Sequence, residues 1–236
     1  MSSALPAARF PAAVLDALLD LMLPRLCVAC RAPHRHALCP RCRPAAAPLV
    51  SAATGFAVAA AGDYDGALRT ALLAYKERGR RDLATALGSV LADAVRALDP
   101  APDVALVPVP SSRRARRARG GDHVLRLARS AGRSTGLRVH APVRLVRSVR
   151  DSAGLDTVTR QANLCGAMAA SSPARRTSAI LVDDIATTGA TLTEAARALR
   201  AAGWQVRGAA VVAATVKRDG PDRWRDPVHG SSVGMT

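Results

Sequence analysis

The stretch from Ala179 to Thr215 constrains the fold more than any other. "AILVDD" is apolar up to two acids, "IATTG" is a short polar loop, "ATLTEAARALRAAG" has helical spacing and closes on Gly203, and "WQVRGAAVVAAT" is apolar again. Two strands joined through a helix lie parallel, because a crossover of roughly a dozen residues is what returns the chain to the same end of a sheet. Nearly unbroken apolar runs, rather than alternating ones, indicate strands covered on both faces. The expectation is an α/β fold, a parallel sheet with helices on both faces.

The preceding chain extends the alternation. "FAVAAAG" reads as a strand, "YDGALRTALLAYKERG" as a helix with Leu68, Leu72 and Tyr75 in register, and "DLATALGSVLADAVRAL" as a stronger helix. "DVALVPVP" is a short buried strand stopped by prolines. "SSRRARRARGG" suits neither element and is expected to be a loop. "DHVLRLARSAGRSTG" is helical up to Gly136, "HAPVRLV" is a strand and "DTVTRQANLCGAM" a helix. The Pro- and Ala-rich "RPAAAPLVSAATG" marks a boundary. The expected organisation is an amphipathic helix over residues 1–25, with Val14, Leu15, Leu18, Leu19, Met22 and Leu26 along one face. A small unit over 26–44, an α/β domain over 55–216 and a disordered polar tail over 217–236 follow.

Four of the five cysteines, Cys27, Cys30, Cys39 and Cys42, form C-x2-C-x8-C-x2-C. Each C-x2-C pair converges two thiolates from one tight knuckle, and two knuckles complete a tetrahedral structural zinc site, a compact treble-clef-like or rubredoxin-like clip. Two disulfides are the alternative, and they require an oxidising compartment. Asp16 and Asp20 interrupt the apolar run near the start, which argues against an export signal. His34 and His36 between the knuckles are read as surface residues, and Cys165 as buried packing. No apolar span of about 20 residues occurs, so no membrane insertion is expected, and a cytoplasmic protein is.

Net charge is +16, from 34 basic against 18 acidic residues, and every basic residue except Lys76 and Lys217 is Arg. The planar Arg fork suits phosphate oxygens, so the excess reflects either a taste for phosphates and nucleic acid or a compositional bias. With 49% hydrophobic but only 3% aromatic residues, the core must be built from Ala, Val and Leu.

The loop after the acids carries the chemistry. Amides of Ala186, Thr187, Thr188, Gly189, Ala190 and Thr191, at the start of a helix, make an anion site, because unpaired N–H groups and the helix dipole point at it. Asp183 and Asp184 beside a phosphate would repel it unless they serve a ribose diol or a Mg²⁺ on the same ligand. A ribose phosphate satisfies both halves. The plainer alternative is that Thr191-x-x-Glu194 is a capping box and the acids a solvated strand end.

"AILVDDIATTGAT" resembles the phosphoribosyl pyrophosphate (PRPP) signature of type I phosphoribosyltransferases, and the chain from about residue 14 to 215 resembles the ComF/GntX family. The matching residues are the four cysteines, Tyr75-Lys76 with Gly79, Pro108-Val109-Pro110, Arg119-Gly120, Arg160 with Asn163, and Asp183 to Thr191. Gly121-Asp122-His123 stands where that family usually has an aromatic residue, Asn and Gln, and Ser152 where it commonly has Gln. The resemblance implies structural zinc, Mg²⁺ with PRPP, ribose hydroxyls on Asp183 and Asp184, and the 5-phosphate in the threonine loop. Pyrophosphate would lie near Pro110, Arg116, Arg117, Arg119 and Gly120, with Lys76, Arg160 and Asn163 as further contacts. The expected activity is phosphoribosyl transfer to an unknown acceptor. The competing expectation, from the link of that family to DNA uptake, is a non-catalytic protein that holds single-stranded DNA or senses PRPP. The Arg113 to Arg119 run accordingly reads as a catalytic flap, a nucleic-acid contact or a solvated basic face.

Overall fold

The computed structural model describes residues 26–44, 49–51, 54–147 and 164–215. The expected helix over 1–25, the tail over 217–236, most of the expected helix over 156–168, and with it Arg160 and Asn163, lie outside the described residues. The described elements run β1 (Leu49–Ser51), β2 (Val58–Ala60), α1 (Gly66–Glu77), α2 (Leu83–Arg96), β3 (Ala105–Pro108) and α3 (Arg113–Ala118). They continue with α4 (His123–Thr135), β4 (Val143–Leu145), β5 (Met168–Ala170), β6 (Ser178–Ala186), α5 (Ala190–Ala201) and β7 (Gln205–Ala214).

The main sheet has the order β1-β2-β7-β6-β3. β2, β7, β6 and β3 are parallel, as the β6-α5-β7 crossover requires, and β1 is added antiparallel at one edge. β1 falls in the Pro- and Ala-rich stretch whose composition marks a boundary. β4 and β5 pair separately and antiparallel.

Alternation along the central strands divides the core into two layers. Ile180 and Val182 of β6 with Ala210 and Val212 of β7 face α1, α2 and α4, where Leu72, Leu87, Leu91 and Leu127 are fully buried. Ala179 and Leu181 with Ala209 and Val211 face α5, through Leu192, Ala195 and Leu199. Helices therefore cover both faces, and small residues on the strands let them approach closely. α2 and α4 touch at Gly88, where a Cβ would come within 2.3 Å of Ser130 Cβ. That contact fixes the position of α4, whose first residue is His123.

Local chemistry sets the helix ends. The Asp122 carboxylate accepts from the Leu125 N–H at the start of α4, and Gly136 closes that helix in the left-handed region at φ 78°. The arginine run, expected to be a loop, contains the six-residue helix α3. Ser112 supplies the cap that makes it possible, its Oγ accepting from the Ala115 N–H at 3.1 Å.

Candidate functional site

Tandem acids on a strand point to opposite faces, and this decides what each can do. Asp184 shares the face of Ile180 and Val182 and is only 4% exposed. Its carboxylate lies 2.9 Å from Lys76 Nζ at the end of α1 and accepts from His123 Nε2 at 2.6 Å. The second ring nitrogen of His123 is 3.3 Å from Ser111 Oγ, and its backbone carbonyl accepts from the Tyr75 hydroxyl at 2.9 Å. Burial pushes the Asp184 carboxyl up, but the His123 hydrogen bond and the Lys76 charge outweigh it and hold the group below the ordinary carboxylate range. Asp183 is turned to the other face and half-buried, and its Oδ1 accepts the Asp184 N–H at 2.8 Å. Burial first, then the neighbouring Asp184 charge, drives its carboxyl upward. Two adjacent carboxyls are thus pushed apart, one fixed as a paired anion and the other easily protonated.

Beyond Asp183 the strand continues to Ala186, further than the sequence suggests, and the chain turns through Thr187, Thr188 and Gly189 into α5. Gly189 adopts φ 75° and heads α5 without a side-chain cap, while the Ala190 N–H donates to Thr188 Oγ1 at 3.3 Å. A Cβ on Gly189 would meet Thr54 Cγ2 at 2.5 Å, so glycine is required both by the backbone and by the approach of Thr54. Thr191 is half-buried in the first turn. Glu194 is not part of a capping box. It is 5% exposed and reaches sideways, accepting from the Met168 N–H at 3.0 Å and from Arg197 at 2.8 Å, which ties α5 to β5.

β3 ends alongside the acids. Pro108 is in register with Val182, and the Val109 N–H donates to the Val182 carbonyl at 2.9 Å, so Pro110 and Ser111 leave the sheet next to Asp183. The structure thus brings Lys76, Pro110, Asp183, Asp184 and the Ala186 to Thr191 loop together at the carboxyl ends of the parallel strands, where open α/β sheets hold ligands. Arg116 and Arg117 stand exposed on α3, and Arg119 with Gly120 forms the turn into α4. The Arg126 guanidinium donates to the Gly120 carbonyl at 2.7 Å, which braces that turn.

The four clip sulfurs lie within 4.8 Å of one another. Cys30 and Cys39 sulfurs are 3.7 Å apart, close to the ~3.8 Å edge that a tetrahedron with Zn–S of about 2.3 Å demands. Both knuckles close on themselves, the Arg31 N–H donating to the Cys27 carbonyl and the Cys42 N–H to the Cys39 carbonyl. All four thiols are free of disulfides, and the cluster fits zinc. The clip shares its core with the α1/α2 layer through Cys27, Leu38 and Cys39, and Arg43 pairs with Asp93 of α2 at 2.7 Å. Leu26 enters a bridge with Pro33 rather than a helix face, and Cys165 is exposed rather than buried.

His123 is the site residue that sequence reasoning missed. In the sequence it stands out only as a departure from a family pattern. The usable signal was its place at the first position of a helix directly after Asp122, with Tyr75-Lys76 to receive it.

Residues 127–233 match the family model described as phosphoribosyl transferase domain, a span that takes in most of α4 and everything from β4 to β7. The chain therefore carries a phosphoribosyltransferase-like domain. Among curated proteins none matches it.

Proposed function

We propose that this protein binds PRPP with Mg²⁺ at the carboxyl edge of the sheet and transfers its phosphoribosyl group to an acceptor, releasing pyrophosphate. The observation that carries the reading is the convergence of the half-buried Asp183, the Asp184–Lys76–His123 network and the Thr187 to Thr191 turn at one strand end. The loop amides and threonine hydroxyls receive the 5-phosphate. Asp183 faces the ribose hydroxyls, while Asp184, already paired, fixes Lys76 and the His123–Ser111 link beside the leaving group. Hard carboxylate donors suit Mg²⁺, which would be held by Asp183 together with the ligand's own oxygens and would neutralise pyrophosphate charge. The bond from the anomeric carbon to pyrophosphate breaks with the electron pair leaving on oxygen, and a bond to the acceptor forms. Cationic character on the ribose is stabilised by the acids, and the leaving anion by Arg116, Arg117 and Arg119.

Thermal melting tests this. Mg²⁺ with PRPP raises the Tm, and Asp183→Ala with Asp184→Ala abolishes the rise; an unchanged Tm at saturating PRPP refutes the binding. Pyrophosphate release with a panel of nucleobases then identifies the acceptor.

A second reading rests on α3, which presents Arg113, Arg116 and Arg117 to solvent on one short capped helix. That surface suits the phosphates of single-stranded DNA, in keeping with the resemblance to the ComF/GntX family and with a cytoplasmic protein that has no helix long and apolar enough to cross a membrane among the described residues. Arg116→Ala with Arg117→Ala should then weaken oligonucleotide binding and flatten its salt dependence.

A further inference from the structure

A cavity of about 940 Å³ opens at the opposite end of the sheet, at the amino ends of β3 and β6. It is lined by Asp103, Arg138, His140, Arg175, Arg176 and Trp204, among others. Thr177 and Asp183 are six residues apart on or beside β6, which at about 3.3 Å per residue separates this cavity from the acid pair by roughly 20 Å. It is a different place from the phosphoribosyl site.

The three arginines make no side-chain hydrogen bond or ion pair among the described residues, although Asp103 lies in the same wall. The lining therefore keeps an excess of two positive charges converging on one concavity, an arrangement whose self-repulsion an anion relieves. The arginines also sit on fixed backbone. Arg138 and His140 flank Val139, which bridges to Leu106 of β3; the Leu106 N–H donates to the Arg138 carbonyl at 2.8 Å and the His140 N–H to the Leu106 carbonyl at 3.0 Å. Alternation turns the side chains of Arg138 and His140 to the same side, away from Val139. The segment bearing Arg175 and Arg176 is pinned at both ends. Trp204 Nε1 donates to the Ser171 carbonyl at 2.9 Å, and the Gln205 N–H donates to the Thr177 carbonyl at 3.0 Å. Within it, Thr177 Oγ1 donates to the Arg175 carbonyl at 2.7 Å.

We infer that this cavity binds a compact ligand carrying linked phosphates. Unpaired guanidinium forks match phosphate oxygens two at a time, and rigid supports lower the ordering cost of doing so. A volume within the range of small-molecule pockets favours a nucleotide-sized molecule over an extended strand.

The test is equilibrium dialysis of the full chain against inorganic tripolyphosphate at about 0.15 M salt, where exposed charges are screened beyond ~8 Å. A saturable site at the cavity is expected, separate from any tripolyphosphate held where the phosphoribosyl site takes pyrophosphate. Arg175→Ala with Arg176→Ala weakens it at least tenfold, Arg138→Ala weakens it as well, and Arg69→Ala, at an exposed position of α1 outside both sites, leaves it unchanged. Arg175→Lys with Arg176→Lys, which keeps charge but loses the fork, falls between. The inference is overturned if no saturable site exists, if the cavity variants bind as the parent does, or if a 20-nucleotide single strand binds through these arginines while tripolyphosphate does not. Asp183→Asn with Asp184→Asn retains the tripolyphosphate site, so failure here and failure of the phosphoribosyl reading remain separate results.

Discussion

Gly189→Ala isolates the geometry of the phosphate loop. Two costs follow from the structure. At φ 75° an alanine enters the left-handed region, which costs about 1–2 kcal/mol, and its Cβ stands 2.5 Å from Thr54 Cγ2, an overlap that costs about 1–3 kcal/mol in packed surroundings. The expected loss is roughly 3 kcal/mol. Thr54→Ser removes the offending methyl but keeps the hydroxyl that donates to the Phe56 carbonyl at 3.0 Å. In that background Gly189→Ala should cost only the backbone part, about 1–2 kcal/mol. Urea denaturation of the four proteins of this cycle reads both numbers, since shifts in midpoint at constant slope report stability. An identical loss with and without the Thr54→Ser change refutes the steric contact. A loss below about 0.5 kcal/mol refutes the left-handed turn itself.

His123→Leu removes the shorter of the two partners of a buried carboxylate and should destabilise by about 2 kcal/mol in urea unfolding, the usual size of a charge-assisted hydrogen bond; a loss near zero would mean Asp184 does not depend on it. Asp183 and Asp184 predict opposite pH trends. The depressed Asp184 contributes stability present above the ordinary carboxylate pKa and lost as pH falls through its folded value. The raised Asp183 does the reverse: it holds its proton in the folded protein while the unfolded chain has released it, so stability falls as pH rises from about 4 toward the raised value. Asp183→Asn should therefore flatten the stability profile between about pH 5 and 8, and a profile unchanged by the substitution contradicts the assigned direction. Metal analysis should find about one zinc per chain, and chelation should unfold the clip, because structural zinc contributes on the order of 10 kcal/mol of apparent binding; a folded metal-free protein with intact thiols contradicts the site.

The parallel sheet and its two helix layers were legible because β6, α5 and β7 carry unbroken apolar runs and a clean helical period between two glycines. The cysteine cluster was legible from spacing alone. What sequence could not supply was the direction of each side chain. Asp183 and Asp184 look equivalent as a pair, yet the two-residue period of the strand sends one to Lys76 and His123 and the other to the opposite face. The capping box that Thr191 and Glu194 offered as an alternative does not form: Glu194 accepts from Met168, and Gly189 takes the cap position. The arginine run looked structureless since no apolar period runs through it, and Ser112 at its start was enough to wind one helical turn and a half. The cavity at the amino end draws on β3, the segment after α4, the segment after β5 and Trp204, pieces too far apart in the chain for any local pattern to join.

The most direct measurement is a crystal structure of the protein grown with Mg²⁺ and PRPP. The 5-phosphate is expected within hydrogen-bond distance of the Thr188 to Thr191 amides, with the ribose hydroxyls against Asp183. An empty loop, or PRPP found solely among Arg138, Arg175 and Arg176, would contradict that placement.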